Sequence, residues 1–269
     1  MKFSVITSVL DGADYLADAI ASVQRQTWPD VEHVIIDAGS VDGSLDIVKK
    51  AMRGDPRIRL YERPGETLYQ SVIWGLSHSS GDMLSWLNAD DLLPPWSMAA
   101  VARFVAADEE RQWVSGLPGC WDRNGVLRYV RPEAWRPQAL IKHGWFHKDL
   151  LGFIQQESVF FSRRLFNSLS EAEKNEIAGA RLAGDFMLWK RFARRAPLCT
   201  APTVLGGFRR HGANMSENRM EEYMREVVAD GAVFLPSGVR FIARSLHRRL
   251  SALEAMRAAE KEDASTFLS

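Results

Sequence analysis

The chain has few cysteines and no long apolar run. Cys120 and Cys199 are its only cysteines among 269 residues, so the sequence predicts neither a disulfide framework nor a zinc site, and the cytoplasm is the expected compartment. No apolar segment approaches the length of a membrane span, and Asp11 comes too early for a secretory signal peptide. We therefore expect a soluble protein, or one bound peripherally at the inner face of a membrane.

A net charge is also absent. The 34 Lys and Arg residues balance the 34 Asp and Glu residues, and no basic run is interleaved with aromatic residues in the way a strand-binding groove requires. The sequence therefore predicts no nucleic-acid partner. Hydrophobic residues make up 46% of the chain, which is enough for a substantial core.

One apolar segment stops abruptly at two adjacent carboxylates. Residues 83–88 are mostly apolar and lie between turn-forming residues, a pattern typical of a buried strand, and Asp90 and Asp91 follow them. At the carboxyl end of a strand in an open α/β sheet, two carboxylates suit a divalent cation and its phosphates. The alternative is that they cap a helix starting near Pro94 or Pro95.

The segments before these carboxylates alternate between strand and helix patterns. Runs rich in β-branched residues predict strands, and apolar residues at helical spacing follow each of them. Such alternation predicts an α/β fold with a parallel sheet and right-handed crossovers, which places Asp37 and Asn88 at one edge. The predicted strands are 2–9, 31–37, 57–61 and 83–88, and the predicted helices lie around 15–23, 44–48 and 69–78.

Four motifs resemble, in order and spacing, those of the family 2 glycosyltransferases. They are residues 4–7 (SVIT), 22–29 (SVQRQTWP), 35–44 (IIDAGSVDGS) and 88–91 (NADD). The resemblance implies a GT-A fold, which is a Rossmann-like mixed sheet flanked by helices, and an inverting transfer from a nucleotide-diphosphate sugar assisted by Mn2+ or Mg2+. Within the family the chain looks most like bacterial enzymes that build cell-surface polysaccharides or glycoconjugates.

The resemblance implies a donor site at the ends of the first strands, with a UDP-sugar as the expected donor. Asp37 would accept from the nucleobase or ribose, although Ala38 stands where many relatives carry a second acid. Gly39 permits a turn close to the ligand. Thr7 and Val9 would line the base pocket, and plain loop structure is the alternative for both.

Residues 63–75 are expected to cover the donor. Tyr69 matches a tyrosine of the family, whereas Thr67 and Ile73 stand where relatives carry glycine and asparagine. Arg63 would lie near the diphosphate, and a solvated surface arginine is the alternative.

The metal is assigned to the acidic motif. Asp90 is the predicted ligand, and Asp91 is either a second ligand or a helix cap. Asn88 replaces the usual first aspartate, so we expect it to bind ribose or a metal-bound water, next to Ala89 in the donor site. A divalent cation there would offset the charge of the departing diphosphate.

A segment near the end of the catalytic region resembles the family's closing segment. Within residues 207–216, His211 is expected to complete the metal shell or to bind a phosphate. Arg209 would neutralise charge on the donor.

Residues 183–192 (AGDFMLWKRF) resemble the motif that carries the family's base. Asp185 would therefore take the proton of the acceptor hydroxyl, and a helix N-cap is a second role compatible with the first. Gln156 and Glu157 stand where relatives often carry histidine and glutamine. We expect them to contact the acceptor or the donor sugar.

The segment from 113 to 151 is rich in Trp, Arg and His, so an acceptor glycan is expected to contact it. Trp145 and His147 are the predicted contacts. For most of the other aromatic residues we favour a β-hairpin, turning at residues 122–125, and a helical lid that buries them.

The C-terminal segment 239–259 has an apolar face surrounded by arginines. It is expected to lie on an anionic membrane near a lipid-linked acceptor, to pack on the catalytic domain or to pair with another subunit. The predicted organisation is a GT-A catalytic domain at 1–212, divided into a nucleotide-sugar half (1–105) and an acceptor half (106–212), with a helical extension at 213–269.

Two other functions share the predicted nucleotide pocket. A nucleotidyltransferase would need a basic, glycine-rich loop after the first strand, and residues 8–13 contain no basic residue. A non-catalytic nucleotide-sugar-binding protein is the other alternative, because Ala38, Thr67, Ile73 and Asn88 depart from the family's pattern.

Overall fold

The first half of the chain alternates between strands and helices, as the sequence predicts. The computed structural model describes residues 1–132 and 134–266. Each of the first four strands is followed by a helix. These elements are β1 (Phe3–Val9), α1 (Ala13–Gln24), β2 (Val31–Asp37), α2 (Ser44–Gly54), β3 (Ile58–Glu62), α3 (Leu68–His78), β4 (Met83–Trp86) and α4 (Ser97–Ala106).

The second half has shorter elements and less regular connections. A 3-10 turn at Gln156–Ser158 leads directly into one of its strands. The elements are β5 (Trp113–Ser115), β6 (Gly119–Asp122), β7 (Leu127–Val130), α5 (Gln138–Lys142), β8 (Val159–Ser162), α6 (Arg163–Asn167), α7 (Glu171–Ala178), α8 (Gly184–Phe192), β9 (Leu198–Thr200), β10 (Gly207–Arg210), α9 (Met215–Asn218), α10 (Met220–Ala229) and α11 (Ser237–Thr266).

Seven strands form one mixed sheet in the order β3-β2-β1-β4-β8-β5-β9. Strand β8 runs antiparallel to both of its neighbours, and the other pairs are parallel. A second sheet has the order β10-β6-β7, in which β6 and β7 form the predicted hairpin. The predicted α/β architecture with a mixed sheet flanked by helices is confirmed.

The strand register places the predicted donor residues at one edge. Val9, the last residue of β1, lies opposite Asp37, the last residue of β2. On the other side of β1, Ile6 lies opposite Trp86, so Asn88 follows just beyond the end of β4. Asp37 and Asn88 therefore reach the same carboxyl edge, as the alternation predicts.

A column of tryptophan rings joins the two halves of the chain. Trp189 of α8 stacks on Trp86 of β4 at 5.4 Å between ring centroids and on Trp113 of β5 at 5.7 Å. All three rings are buried in the largest hydrophobic cluster. Because burial of large aromatic rings stabilises strongly, this column fixes α8, which carries Asp185, against the sheet.

The last two helices pack differently. Tyr223 and Val227 of α10 form a buried cluster with Leu182, Ala183 and Phe186 around the start of α8. Helix α11 follows, and most of its residues between 237 and 256 are exposed to solvent. Within the described residues, no helix combines the length and the apolarity needed to cross a membrane.

Candidate active site

Asp37 offers one free acceptor at the end of β2. Its Oδ1 accepts hydrogen bonds from the backbone N–H groups of Gly39 and Ser40, each at 2.9 Å. Gly39 has φ +105°, a conformation that favours glycine. The other oxygen, Oδ2, is buried and has no hydrogen-bond partner in the described part of the chain, so Asp37 can accept one more bond from a ligand.

The two loops beside Asp37 are bonded to each other. The Asp11 N–H donates to Ser40 Oγ at 3.0 Å, and the Val41 N–H donates back to Asp11 Oδ1 at 2.8 Å. The Ala13 N–H donates to Asp42 Oδ2 at 2.8 Å. Asp11 adopts φ +52° within this network. Hydrogen bonds within the protein thus hold the two loops that form the walls of the predicted nucleoside pocket.

Thr7, Val9 and Ala89 take part in packing at this edge. Thr7 Oγ1 lies 2.9 Å from His33 Nε2, and burial lowers the pKa of His33 to about 3, so that ring is neutral. The Val9 carbonyl accepts from the Ala38 N–H. A Cβ on Gly12 would fall 3.0 Å from Val9 Cγ2 and 3.2 Å from Ala89 Cβ, so both side chains pack closely against Gly12. Their contact with a nucleoside stays a prediction.

Asp90 and His211 are the best-placed candidates for metal ligands. Asp90 Oδ2 lies 2.9 Å from His211 Nε2, close to the separation of about 3 Å between adjacent ligands of an octahedral Mg2+ or Mn2+. Asn214 lies beside both. Its amide nitrogen is 3.4 Å from Asp90 Oδ2, and its Oδ1 accepts from the backbone N–H of His211 at 3.0 Å. The His211 ring packs on Tyr15.

The pair does not amount to a complete metal shell. Among the described residues, no three His, Cys, Asp or Glu side chains cluster closely enough to hold a metal ion. Mg2+ is commonly bound by one or two carboxylates together with substrate phosphates and water. Asp90 and His211 fit that mode of binding, in which the donor supplies the remaining ligands.

Asp91 is occupied by the protein itself. It is fully buried, its Oδ1 accepts from the Arg209 N–H at 2.8 Å and its Oδ2 accepts from Asn88 Nδ2 at 3.0 Å. Burial, together with the Asp90 and Glu157 carboxylates, raises the pKa of Asp91 well above its usual range. We propose that Asp91 joins β10 to the end of β4 and binds no metal.

The helix-cap alternative for the acidic motif is wrong. Helix α4 begins at Ser97, and its N-cap position is Trp96. Asp90 and Asp91 therefore lie well before the helix.

Asn88 lies between the two halves of the site. Its amide also donates to Gln156 Oε1 at 3.2 Å, and the Gln156 amide donates to the Trp86 carbonyl. Gln156 is buried in this arrangement. It thereby positions Asn88, and an additional contact with the acceptor stays a prediction.

The two predicted basic contacts differ in their surroundings. Arg209 is buried between the Tyr15 ring and Asp18, to which its Nη1 donates at 3.0 Å. Its Nε and Nη2 have no hydrogen-bond partner among the residues described. Arg63 instead donates to Glu66 at 2.7 Å and stacks on Trp74. Arg209 is thus the better placed of the two to offset phosphate charge.

Asp185 lies in the first turn of α8, where Ala183 holds the N-cap position. The predicted cap role of Asp185 is therefore wrong. Burial raises the pKa of Asp185 to about 6, and a hydrogen bond from Tyr223 opposes the rise; the Tyr223 hydroxyl lies 3.4 Å from Asp185 Oδ1. Tyr69 packs against Gly184, where a Cβ would fall 2.4 Å from the ring. A carboxylate in this setting is suited to accept a proton near neutral pH.

The start of α8 is held by Glu226 of α10. Its carboxylate accepts three backbone hydrogen bonds, from Arg181 at 3.0 Å, Leu182 at 3.0 Å and Ala183 at 2.9 Å. The Ala183 N–H belongs to the N-cap residue of α8, and the other two belong to the residues just before it, so Glu226 fixes the chain where it enters the helix. The sequence motifs do not single out Tyr223 or Glu226, although their spacing of three residues places both on one face of a helix.

Glu157 interacts electrostatically with both Asp90 and Asp185. It is buried, and its Oε2 has no hydrogen-bond partner within the described residues. Burial raises the pKa of Glu157 to about 7, and the nearby carboxylates of Asp185 and Asp90 add to the rise. The three acids therefore form one electrostatic cluster.

The two predicted acceptor contacts lie in packed surroundings. His147 is fully buried, its Nε2 donates to the Val233 carbonyl at 2.9 Å and its ring packs on Phe234. Trp145 is partly buried against the largest core cluster. The packing role expected for the other aromatic residues of this segment thus extends to His147.

Comparisons with known proteins identify the family and the fold. The model of Glycosyl transferase family 2 matches residues 4–167, more than half of the chain. An uncharacterized glycosyltransferase of Rickettsia felis is 24% identical over 224 residues, which cover 81% of this chain and 36% of that relative. A PGL/p-HBAD biosynthesis glycosyltransferase of Mycobacterium bovis is 33% identical over 172 residues, which cover 62% of this chain and 61% of the relative. The chain thus spans less than two thirds of the length of these relatives.

Two solved structures establish the fold. S. aureus TarS 1-349 in complex with UDP-GlcNAc has a TM-score of 0.62 at 17% identity, with 86% of this chain and 66% of that one covered. The mannosyltransferase PcManGT from Pyrobaculum calidifontis, in complex with GDP-Man and Mn2+, has a TM-score of 0.58 at 18% identity, with 99% and 78% covered. The fold is GT-A, and the chain belongs to glycosyl transferase family 2.

Proposed function

We propose that the protein is an inverting glycosyltransferase that moves a sugar from a nucleotide-diphosphate donor to a hydroxyl acceptor. The observation that supports this most strongly is the acidic cluster of Asp90, Glu157 and Asp185. Asp90 lies at the edge that carries Asp37, and Asp185 approaches from α8. One bound sugar placed between them would have its leaving group on the metal side and its acceptor on the base side.

The free oxygen of Asp37 is a hydrogen-bond acceptor for the nucleoside. A carboxylate oxygen can only accept a hydrogen bond, so a ring N–H, an exocyclic amino group or a ribose hydroxyl would donate to it, and the choice of base rests on the relatives. UDP is our proposed nucleotide. The UDP-GlcNAc complex of TarS supports this choice, and the GDP-Man complex of PcManGT leaves guanine as the alternative.

Asp90 and His211 would hold Mn2+ or Mg2+ together with the donor diphosphate. When bound, the cation supplies Lewis-acid stabilisation of the departing diphosphate. The Mn2+ in the PcManGT complex supports the assignment. The buried guanidinium of Arg209, on the same strand end as His211, adds a positive charge on this side.

Asp185 would take the proton of the acceptor hydroxyl. The acceptor oxygen then attacks the anomeric carbon from the side opposite the diphosphate, and the bond from that carbon to the phosphate oxygen breaks as the new bond forms. The configuration at the carbon inverts. Because the pKa of Asp185 is about 6, most of the protein carries the ionised base at neutral pH.

The proposed acceptor is a glycan or a lipid-linked sugar used in polysaccharide or glycoconjugate synthesis. The mycobacterial relative acts in PGL/p-HBAD biosynthesis, which supports this class. We expect the reaction in the cytoplasm, where the free thiols of Cys120 and Cys199 stay reduced.

Asp185→Asn tests the proposal, because an amide keeps the shape of the side chain but does not accept the proton. We expect single-turnover transfer to slow by roughly two to four orders of magnitude, with donor affinity unchanged. Asp108→Asn, at an exposed aspartate, is the matched control. Transfer by Asp185→Asn at the parent rate would exclude Asp185 as the base.

The same variant has an independent stability readout. The pKa of Asp185 is raised from 3.8 to about 6, so the folded state binds the proton more tightly than the unfolded state, and the parent loses stability as the pH rises through that interval. Asp185→Asn should therefore melt at a higher temperature than the parent above the folded-state pKa, and the difference should vanish at lower pH. A lower melting temperature throughout would indicate a structural role.

Product analysis separates the other two functions. A nucleotidyltransferase would release pyrophosphate from a nucleoside triphosphate and a sugar phosphate, and a non-catalytic binding protein would bind a UDP-sugar without turnover. Donor hydrolysis that requires Mn2+, without release of pyrophosphate, is the expected result.

A further inference from the structure

Helix α11 contacts the rest of the protein through its polar side. Arg244 donates to the Leu150 carbonyl at 2.7 Å and to the Lys148 carbonyl at 3.0 Å. His247 donates to the Trp135 carbonyl at 2.6 Å, and Ser251 Oγ accepts from the Trp135 N–H at 2.9 Å. A surface helix usually packs through its apolar stripe, so this orientation is reversed.

The apolar stripe of α11 faces solvent instead. Its members recur at intervals of three or four residues, which places them on one face of the helix. Their exposed fractions lie between 39% and 58%. The stripe consists of Val239, Ile242, Leu246, Leu250 and Leu253.

Positive charge is concentrated on the same helix. Between residues 237 and 256 there are four arginines and a single acidic residue, Glu254, in a chain whose net charge is zero. Arg248 and Arg249 are exposed. The helix therefore combines an apolar face with a local excess of cations.

A groove lies beside α10. Its volume is about 450 Å³, and it lies between α10 and the segment that Arg244 contacts. Four of its lining residues are apolar and four are charged. Helix α10, which forms one wall, carries Tyr223 beside Asp185. The apolar lining residues are Met220, Met224, Val228 and Phe234.

We propose that α11 lies in the interface of an anionic membrane, with its apolar stripe among the lipid chains and the exposed Arg248 and Arg249 at the headgroups. Charge decides between this surface and a second copy of the chain, because pairing two such helices would place the arginines of both copies together, whereas anionic headgroups attract them. The inference does not depend on the transfer reaction, so either can fail alone.

Vesicle sedimentation tests the proposal with the full chain. We expect binding to vesicles of equal parts phosphatidylcholine and phosphatidylglycerol, weak binding to phosphatidylcholine alone, and a loss of binding as salt is added. The double variant Leu246→Glu and Leu250→Glu should lower the partition coefficient by roughly two orders of magnitude. Because each basic residue contributes roughly fivefold, Arg248→Glu with Arg249→Glu should lower it by more than roughly tenfold.

Val126→Glu is the matched control, because Val126 is similarly exposed but lies in the β6–β7 turn. It should bind like the parent, and circular dichroism should show that every variant is folded. Equal binding to both kinds of vesicle, or no binding to either, would overturn the proposal. A dimer in solution that Leu246→Glu and Leu250→Glu dissociate would assign the stripe to a second copy instead.

Discussion

The donor edge and the base edge of this site are built in different ways. At the donor edge, Asp37 and the loop residues beside it are bonded to one another within the first 44 residues. At the base edge, Asp185 depends on Tyr69 of α3 and on Tyr223 and Glu226 of α10, which are remote in the sequence. The predicted donor pocket is thus built from adjacent βα units. Asp185, the proposed base, is positioned by segments that are distant in the sequence.

The position of α10 also bears on the domain boundary. The sequence places the end of the catalytic domain at residue 212. Helix α10 completes the cluster around Leu182 and Phe186, and Asp230 after it pairs with Lys190 and Arg191 of α8. We propose that the catalytic unit extends to Asp230 and that only α11 is an appendage.

Asp90→Asn, at the donor edge, should have the largest effect on activity. The amide oxygen is a weaker ligand for a hard cation than a carboxylate, so we expect kcat/KM to fall by roughly two orders of magnitude or more. The melting temperature should stay close to that of the parent. Turnover titrated with Mn2+ measures the effect, and Asp46→Asn, on the exposed side of α2, is the control. Unchanged turnover would remove Asp90 from the metal site.

Glu226→Ala should act on the base edge by loosening the start of α8. The variant leaves three backbone N–H groups without their acceptor, so we expect the free energy of unfolding to fall by about 2 to 3 kcal/mol. Transfer should fall while donor affinity stays constant. Chemical denaturation and donor titration measure both, with Glu221→Ala on the exposed face of α10 as the control. If donor affinity fell together with transfer, the two edges would not be independent.

Tyr223→Phe should have a smaller and more specific effect. Loss of the hydroxyl removes a donor to the Asp185 carboxylate, so the pKa of Asp185 should rise further. The acid limb of the kcat/KM profile, which reports the free protein, should move to higher pH, and the rate near neutrality should fall a few-fold. Tyr129→Phe, on the exposed hairpin, is the control. A uniform loss at every pH would point to packing alone.

Asn88→Asp should have the smallest effect on the folded protein with metal bound. A carboxylate here adds a charged oxygen next to Asp90, so we expect metal affinity to tighten roughly tenfold or less. Without metal it would face Asp91, whose hydrogen bond from Asn88 is lost, and the melting temperature should fall. Calorimetric titration with Mn2+ and melting curves test this, and unchanged affinity would place Asn88 outside the metal's surroundings.

The contrast between the two edges also explains what the sequence predicts. Strands β1 to β4 and their helices follow from local periodicity, and the register of parallel strands brings Asp37 and Asn88 together without further information. Asp185 was identified through a resemblance. The roles of Tyr15, Asn214 and Glu226 depend on contacts between distant segments, which no local pattern encodes. The sequence predicts Asp91 as a metal ligand or a helix cap. Its bonds from the Arg209 N–H and the Asn88 amide appear only in the structure.

The tryptophan column has a spectroscopic consequence. Indole rings stacked at 5.4 and 5.7 Å are close enough for their electronic transitions to couple, so Trp86, Trp113 and Trp189 should give an exciton signal in the circular dichroism spectrum. One ring of the three belongs to the helix that carries Asp185. Loss of this signal while the helical bands persist would reveal α8 leaving the sheet, and would do so in the unlabelled protein before any acceptor is known.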